Sequence, residues 1–109
     1  MYRATAGMLA SRMVAAGNGE VVRVIFYGSR ARGITGPASD WDFMVVLDRE
    51  IADSEAEELR FKRAALGGAL PDVRMDVWPI ALSEWETARQ LIGHPARAAD
   101  REGEVLYAR

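Results

Sequence analysis

Asp40 and Asp42 are two carboxylates separated by one residue at the start of an apolar stretch. Successive strand residues face opposite sides of a sheet, so both acids share one face and Trp41 lies on the other. Their Cα atoms would be roughly 6.6 Å apart in an extended chain, so both carboxylates can reach one cation or a close pair. Mg²⁺ binds one or two carboxylates together with substrate phosphate oxygens. The pattern indicates metal-dependent nucleotide chemistry, although turn formation at Asp40 and a solvent-facing Asp42 would also explain it.

A turn with the features of an anion site precedes the two acids. The β-branched and aromatic run 21–27 predicts a strand, Gly28 and Ser29 break it, and good helix formers follow. Backbone N–H groups at such a turn can bind an anion, and Gly28 lets a phosphate approach the backbone. Arg30 and Arg32 add guanidinium groups suited to phosphate oxygens. We therefore expect Gly28, Ser29, Arg30 and Arg32 to bind nucleotide phosphates.

A third acid, Asp76, lies in another predicted strand, 74–80. The helical segment between this strand and the one at 41–47 predicts a β-α-β crossover, which makes the two strands parallel. Parallel strands start at the same end of a sheet, so Asp76 can join Asp40 and Asp42. Three carboxylates at one edge repel one another unless a cation lies between them.

These elements predict an α/β (α+β) fold with a small mixed sheet of three core strands, flanked by helices, in a single domain covering residues 1–109. The strands at 21–27 and 41–47 are expected to be antiparallel, and the strands at 41–47 and 74–80 parallel. The predicted helices cover residues 5–16, from 54 to near Gly67, from about 83 to 92, and 95–101. The tail at 105–107 is expected to pack as a short extended segment.

Local signals suggest how the helices begin and end. Ser54 and Ser83 each precede a glutamate by three residues, which predicts a capping box at the start of the second and third helices. His94, the only histidine, is interpreted as a helix C-terminal residue, where its charged form suits the dipole.

Three aromatic residues stand outside the acidic motifs. They are interpreted as core or interface residues rather than as a platform for base stacking: Trp78, Trp85 and Tyr107.

Three segments together, 27–33, 39–43 and 75–77, resemble the signature of the DNA polymerase β-type nucleotidyltransferase superfamily. The chain most resembles its small stand-alone members, the minimal nucleotidyltransferases, and the tail 101–107 is similar to their usual ending. Trp41 stands where a smaller aliphatic residue is more usual, and we expect it to affect only packing. The resemblance covers most of the chain.

The resemblance implies a role for each motif residue. Gly28 and Ser29 would hold the triphosphate of ATP, Asp40 and Asp42 would ligate two Mg²⁺ ions, and Asp76 would be the third carboxylate and candidate base. Two metal ions can stabilise the attacking and the leaving oxygen of an in-line displacement at phosphorus.

The resemblance also implies a partner. Minimal nucleotidyltransferases often act as antitoxins that transfer AMP from ATP to a hydroxyl, typically of tyrosine, on a HEPN toxin. Two alternatives remain open: a non-catalytic module that neutralises its partner by binding alone, and a small-molecule nucleotidyltransferase of the aminoglycoside type. The presence of three mutually repelling carboxylates argues against the non-catalytic binding module, because binding alone does not require them.

Other motif matches are weaker. Residues 28–35 have the spacing of a P-loop, but Ile34 stands where the phosphate-binding lysine is required. Arg89 and His94 have the spacing of the HEPN ribonuclease motif, which we interpret as coincidence in an α/β chain. The chain has no cysteine and one lysine, Lys62, so a thiol nucleophile is excluded and a covalent lysyl-nucleotide mechanism is disfavoured.

The composition of the chain limits which other classes of protein it could belong to. The 109 residues carry a net charge of −2, so no overall basic field attracts DNA, and we expect no direct DNA binding. No apolar stretch reaches the length of a membrane span, and the N-terminal segment lacks a continuous signal-peptide region, so we expect a cytoplasmic protein without membrane association. The sequence leaves the oligomeric state open, including a homo-oligomer.

Overall fold

The structure is a computed structural model that describes residues 2–28, 41–67 and 74–109. Eight elements follow one another in these ranges: α1 (Tyr2–Ala16), β1 (Val21–Tyr27), β2 (Trp41–Leu47), α2 (Ser54–Leu66), β3 (Met75–Ala81), α3 (Leu82–Ala88), α4 (Pro95–Glu102) and β4 (Glu104–Ala108). In these described ranges, no helix combines the length and the apolar character needed to span a membrane.

The strands form one open sheet in the order β3-β2-β1-β4. β1 and β2 are antiparallel and β2 and β3 are parallel, which confirms the predicted mixed sheet. β4 adds a fourth strand, antiparallel to β1, where the sequence predicted only an extended segment. The tail pairs here because β1 has one side left open once β2 occupies the other.

Both faces of the sheet are covered. One core cluster includes Phe26, Phe43 and Phe61 and lies between the sheet and helices α1 and α2. The other includes Met44 and Trp85 and lies under α3 and α4. Five consecutive β2 residues are buried because β2 is an inner strand with helices on both sides.

The capping residue of α2 is Asp53 rather than the predicted Ser54. The backbone N–H of Ala56 donates to Asp53 Oδ1 at 3.1 Å, so Ser54 is already the first helical residue. The predicted end is confirmed, because Gly67 closes the helix in the left-handed conformation with φ of 66°.

α3 differs from its prediction at both ends. It follows β3 directly, its N-cap Ala81 has no side chain that can cap, and Ser83 donates its hydroxyl to Glu50 at 2.8 Å instead. The helix ends at Ala88 rather than near residue 92, because Gln90 and Leu91 bond to carbonyls three residues back and tighten the chain into turns.

His94 begins α4 instead of ending a helix, so that prediction was wrong. Its Nδ1 atom accepts a hydrogen bond from the backbone N–H of Ala96 at 3.0 Å, and Pro95 occupies the first helical position. The side chain of His94 thus caps the start of α4.

An ion-pair network joins four elements at the end of the sheet where β1 begins and β2 ends. Arg49 contacts Glu20 and also Glu57, the latter at 2.6 Å, and Glu57 receives a second bond from Arg60 at 2.8 Å. Arg60 also donates to the carbonyl of Ala16 at 2.6 Å. Hydrogen bonds to Glu20 and Glu57 raise the pKa of Arg49 above its ordinary value.

Candidate active site

Asp42 and Asp76 occupy corresponding positions on neighbouring parallel strands. They are register partners near the beginnings of β2 and β3, about 4.8 Å apart in the direction across the strands. Met75 and Val77 point to the α1/α2 side, so Asp76 shares the opposite face with Asp42, as the alternation predicted. The crossover therefore brings these two acids together, while Asp40 lies outside the described residues.

Gly28 lies directly against Asp42. Its φ of 85° is a left-handed conformation that favours glycine, and a Cβ atom built there would collide with Asp42 Oδ2 and lie 3.2 Å from Asp42 Cγ. The structure thus brings Gly28, of the predicted phosphate-binding set, together with Asp42, of the predicted metal-binding set. Three further predicted phosphate ligands lie outside the described residues: Ser29, Arg30 and Arg32.

Tyr27 belongs to this cluster and was missed by the sequence analysis. It is the register partner of Asp42 across β1 and β2, and it packs on the α3/α4 side of the sheet. Burial raises the pKa of Tyr27 to about 12, and the negative charges of Asp42 and then Asp76 contribute to the rise. The sequence feature that could have identified Tyr27 was its position directly before Gly28, in a strand expected to pair with the strand that contains Asp42.

The aromatic residues divide into two groups. Trp85 is only 2% exposed, Tyr107 packs against the α1/α2 core, and Trp41 stacks on Phe26 with 5.7 Å between ring centroids. Trp78 is different, because 39% of its surface is exposed. It is therefore not a core residue, and it follows Asp76 by two positions on the same face of β3.

The single lysine is remote from this face. Lys62 lies on α2 and pairs with Glu58 at 2.8 Å, and α2 packs on the opposite side of the sheet from Asp42 and Asp76. This placement agrees with the expectation that no covalent lysyl intermediate is formed.

The described donors suit a hard divalent cation. Carboxylate oxygens are ligands that Mg²⁺ prefers, and a backbone without a side chain beside them leaves space for substrate phosphates. Among residues 2–28, 41–67 and 74–109, no three potential ligands are grouped closely enough to hold a metal ion. Asp42 and Asp76 are thus the described part of the predicted metal-binding set.

Comparison with known families agrees with the geometry. A family model described as nucleotidyltransferase domain matches residues 10–97, which include Gly28, Asp42 and Asp76. The match covers most of the chain, so the chain belongs to the nucleotidyltransferase domain family, whose members usually use a nucleoside triphosphate and a divalent metal ion. No curated protein matches the sequence significantly.

Proposed function

We propose that this protein is a Mg²⁺-dependent nucleotidyltransferase that transfers AMP from ATP to a hydroxyl group, with a tyrosine of a partner HEPN toxin as the acceptor. The observation that carries the proposal is the grouping of Gly28, Asp42 and Asp76 at one end of the sheet. Membership of the nucleotidyltransferase family supports the reaction class, and the resemblance to minimal nucleotidyltransferases supports the acceptor.

Each group of site residues has a distinct task in the proposed reaction. The carboxylates would hold two Mg²⁺ ions, which when bound neutralise charge on the phosphate oxygens. The turn would bind the triphosphate through backbone N–H groups, a hydroxyl and guanidinium groups. The metal-binding set is Asp40, Asp42 and Asp76. The phosphate-binding set is Gly28, Ser29, Arg30 and Arg32.

The transfer itself is an in-line displacement. The acceptor oxygen forms a bond to the α-phosphorus of ATP, the bond from that phosphorus to the bridging oxygen breaks, and pyrophosphate leaves with the electron pair. The hydroxyl proton passes to a carboxylate, for which Asp76 is our candidate because it is exposed on the outer strand β3.

Modification of the partner would explain an antitoxin role. Each transferred AMP adds a negatively charged phosphate to the toxin, and like-charge repulsion then opposes the approach of RNA to that surface. Residues 1–109 would act as one nucleotidyltransferase domain in the cytoplasm, without direct contact to DNA or a membrane. A homo-oligomer is compatible with this proposal.

The test is a transfer assay with ATP labelled on the α-phosphate, Mg²⁺ and a candidate partner, which we expect to be a short helical protein encoded by the neighbouring gene. We expect label on that partner, and no label from ATP labelled on the γ-phosphate. Asp42→Asn and Asp76→Asn should each reduce transfer by about 100-fold or more, because they remove charge that stabilises the transition state. Asp48→Asn, at the other end of β2, removes the same charge and should leave the rate unchanged.

Each alternative gives a different result. Neutralisation of the toxin that survives both Asp42→Asn and Asp76→Asn would identify a module that acts by binding alone. Label transferred to an aminoglycoside but not to the partner protein would identify a small-molecule enzyme. Folding of every variant should be checked by circular dichroism, so that loss of structure is not read as loss of chemistry.

A further inference from the structure

Trp78 is a large aromatic residue that the hydrophobic core does not use. It lies on β3 two positions after Asp76, on the same face of the sheet, and 39% of its surface is exposed. Trp85, the neighbouring tryptophan in sequence, is 2% exposed and packs in the α3/α4 core. Packing therefore accounts for Trp85, whereas Trp78 leaves aromatic surface open on the same face as a proposed catalytic carboxylate.

The imidazole ring of His94 packs against the indole ring of Trp78. The two ring centroids are 5.6 Å apart at an interplanar angle of 65°, an edge-to-face contact. The imidazole is itself fixed, because Nδ1 accepts the bond that begins α4 at Ala96. The indole is thus braced by His94 and still offers exposed aromatic surface.

The strand order, taken together with the proposed phosphate role of Gly28, places Trp78 on the acceptor side of the proposed reaction. Gly28, Asp42 and Asp76 belong to β1, β2 and β3, which are consecutive in the sheet. In the proposed reaction the leaving pyrophosphate lies on the Gly28 side. An in-line attack brings the acceptor from the opposite side of the phosphorus, which is the side of β3. β3 is an outer strand, so an acceptor can approach there.

We infer that Trp78, braced by His94, is a specificity-determining residue that contacts the acceptor and favours an aromatic hydroxyl over an aliphatic one. This inference rests on the proposed function and names Trp78 as the residue that determines which acceptor is preferred. A phenol is long enough to place its oxygen at Asp76 while its ring contacts Trp78, and aromatic pairs add attraction beyond the area they bury. A serine side chain that placed its hydroxyl at Asp76 would be too short to contact the indole of Trp78 as well.

The first experiment compares two small acceptors, N-acetyl-tyrosinamide and N-acetyl-serinamide, with Mg²⁺ and ATP. Trp78→Leu should raise the KM for the tyrosine probe about tenfold, with little change in the KM for ATP or in transfer to the serine probe. Trp78→Phe should restore most of the loss, because it keeps an aromatic ring. Val105→Ala removes exposed apolar surface from the opposite outer strand and should change none of these values.

The second experiment needs no catalysis. Titration of the full chain with N-acetyl-tyrosinamide should shift the indole N–H resonance of Trp78 in NMR spectra and leave that of buried Trp85 in place. Transfer that proceeds with the same KM for the tyrosine probe in Trp78→Leu would overturn the inference while the proposed function stands. An unmoved Trp78 resonance would also overturn the inference and leave the proposed function standing. A chain that transfers no nucleotide to the partner protein or to either probe would refute the proposed function, and with it the acceptor preference assigned to Trp78.

Discussion

Gly28 is required by its surroundings more strictly than the other described glycines with positive φ. Gly19 and Gly28 share nearly the same φ, 84° and 85°, but only Gly28 faces a neighbour that an added Cβ would strike. That neighbour is the carboxylate of Asp42. A side chain at position 28 would therefore strain the backbone and also move a proposed metal ligand.

The pair of variants Gly28→Ala and Gly19→Ala separates these two effects. Each should lower the free energy of unfolding by about 1 to 2 kcal/mol, because alanine disfavours the left-handed conformation. Only Gly28→Ala should reduce nucleotide transfer, by about 100-fold, because displacement of a ligand by an ångström disrupts the reacting geometry. Urea unfolding and the α-label assay measure the two quantities. Equal activity in both variants would contradict the role given to Gly28.

Tyr27 makes stability depend on alkaline pH. Its pKa is about 12 in the folded protein against an ordinary value of 10.0, so between these pH values the unfolded chain has lost a proton that the folded chain retains. The free energy of unfolding should therefore fall as pH rises from 10 to 12, while below pH 10 the contribution is fully present. Urea unfolding in metal-free buffer should show a weaker decline for Tyr27→Phe. Parallel curves for the two proteins would refute this assignment.

At the scale of elements, strands were predicted more accurately than helix ends. The strands at 21–27 and 41–47 have the bounds expected from their apolar runs, because a buried strand must be apolar along its length. Helix starts depend on single hydrogen bonds, and two adjacent residues such as Asp53 and Ser54 can both cap. Asp53 caps α2 because it has the extended backbone of an N-cap, with φ of −139°, and Ser54 is already helical.

The cap of α2 gives a direct check. Asp53→Ala should lower the free energy of unfolding by about 1 kcal/mol, because it removes the acceptor for the Ala56 N–H. Ser54→Ala should change it by less than about 0.5 kcal/mol, since Ser54 is within the helix. Thermal or urea unfolding compares the two variants with the parent chain. If Ser54→Ala lowered the free energy of unfolding more than Asp53→Ala, Ser54 would be the capping residue, as the capping-box pattern predicts.

At the scale of the whole molecule, an ion-pair network and the candidate active site lie at opposite ends of the sheet. The Arg49 network with Glu20, Glu57 and Arg60 lies where β1 begins and β2 ends. Gly28, Asp42 and Asp76 lie at the other end of the same strands. These ion pairs, with the hydrogen bond from Arg60 to the Ala16 carbonyl, therefore join α2 to the end of α1 and to the residues that flank β1 and β2, away from the site.

Part of the candidate site could be predicted from sequence because its residues are chemically distinctive. Asp42 and Asp76 are acids placed on apolar strands, and a parallel crossover requires the two strand beginnings to meet. Trp78 carries no such signal and Tyr27 only a positional one, directly before Gly28, because an aromatic residue in a strand is usually part of the core. Their significance depends on which neighbours lie across the sheet.

The sequence by itself determined the antiparallel and parallel pairings of β1 to β3 and the shared face of Asp42 and Asp76. These follow from local alternation and the limits on strand connections, whereas the nucleotidyltransferase class was implied by the resemblance of three sequence segments to known members. Only the tertiary structure decided that Tyr27 lies beside Asp42, that β4 joins the sheet, that His94 begins a helix and that Trp78 stays exposed. The physical reason is that register and burial arise from contacts between residues far apart in the chain, which local sequence patterns do not specify.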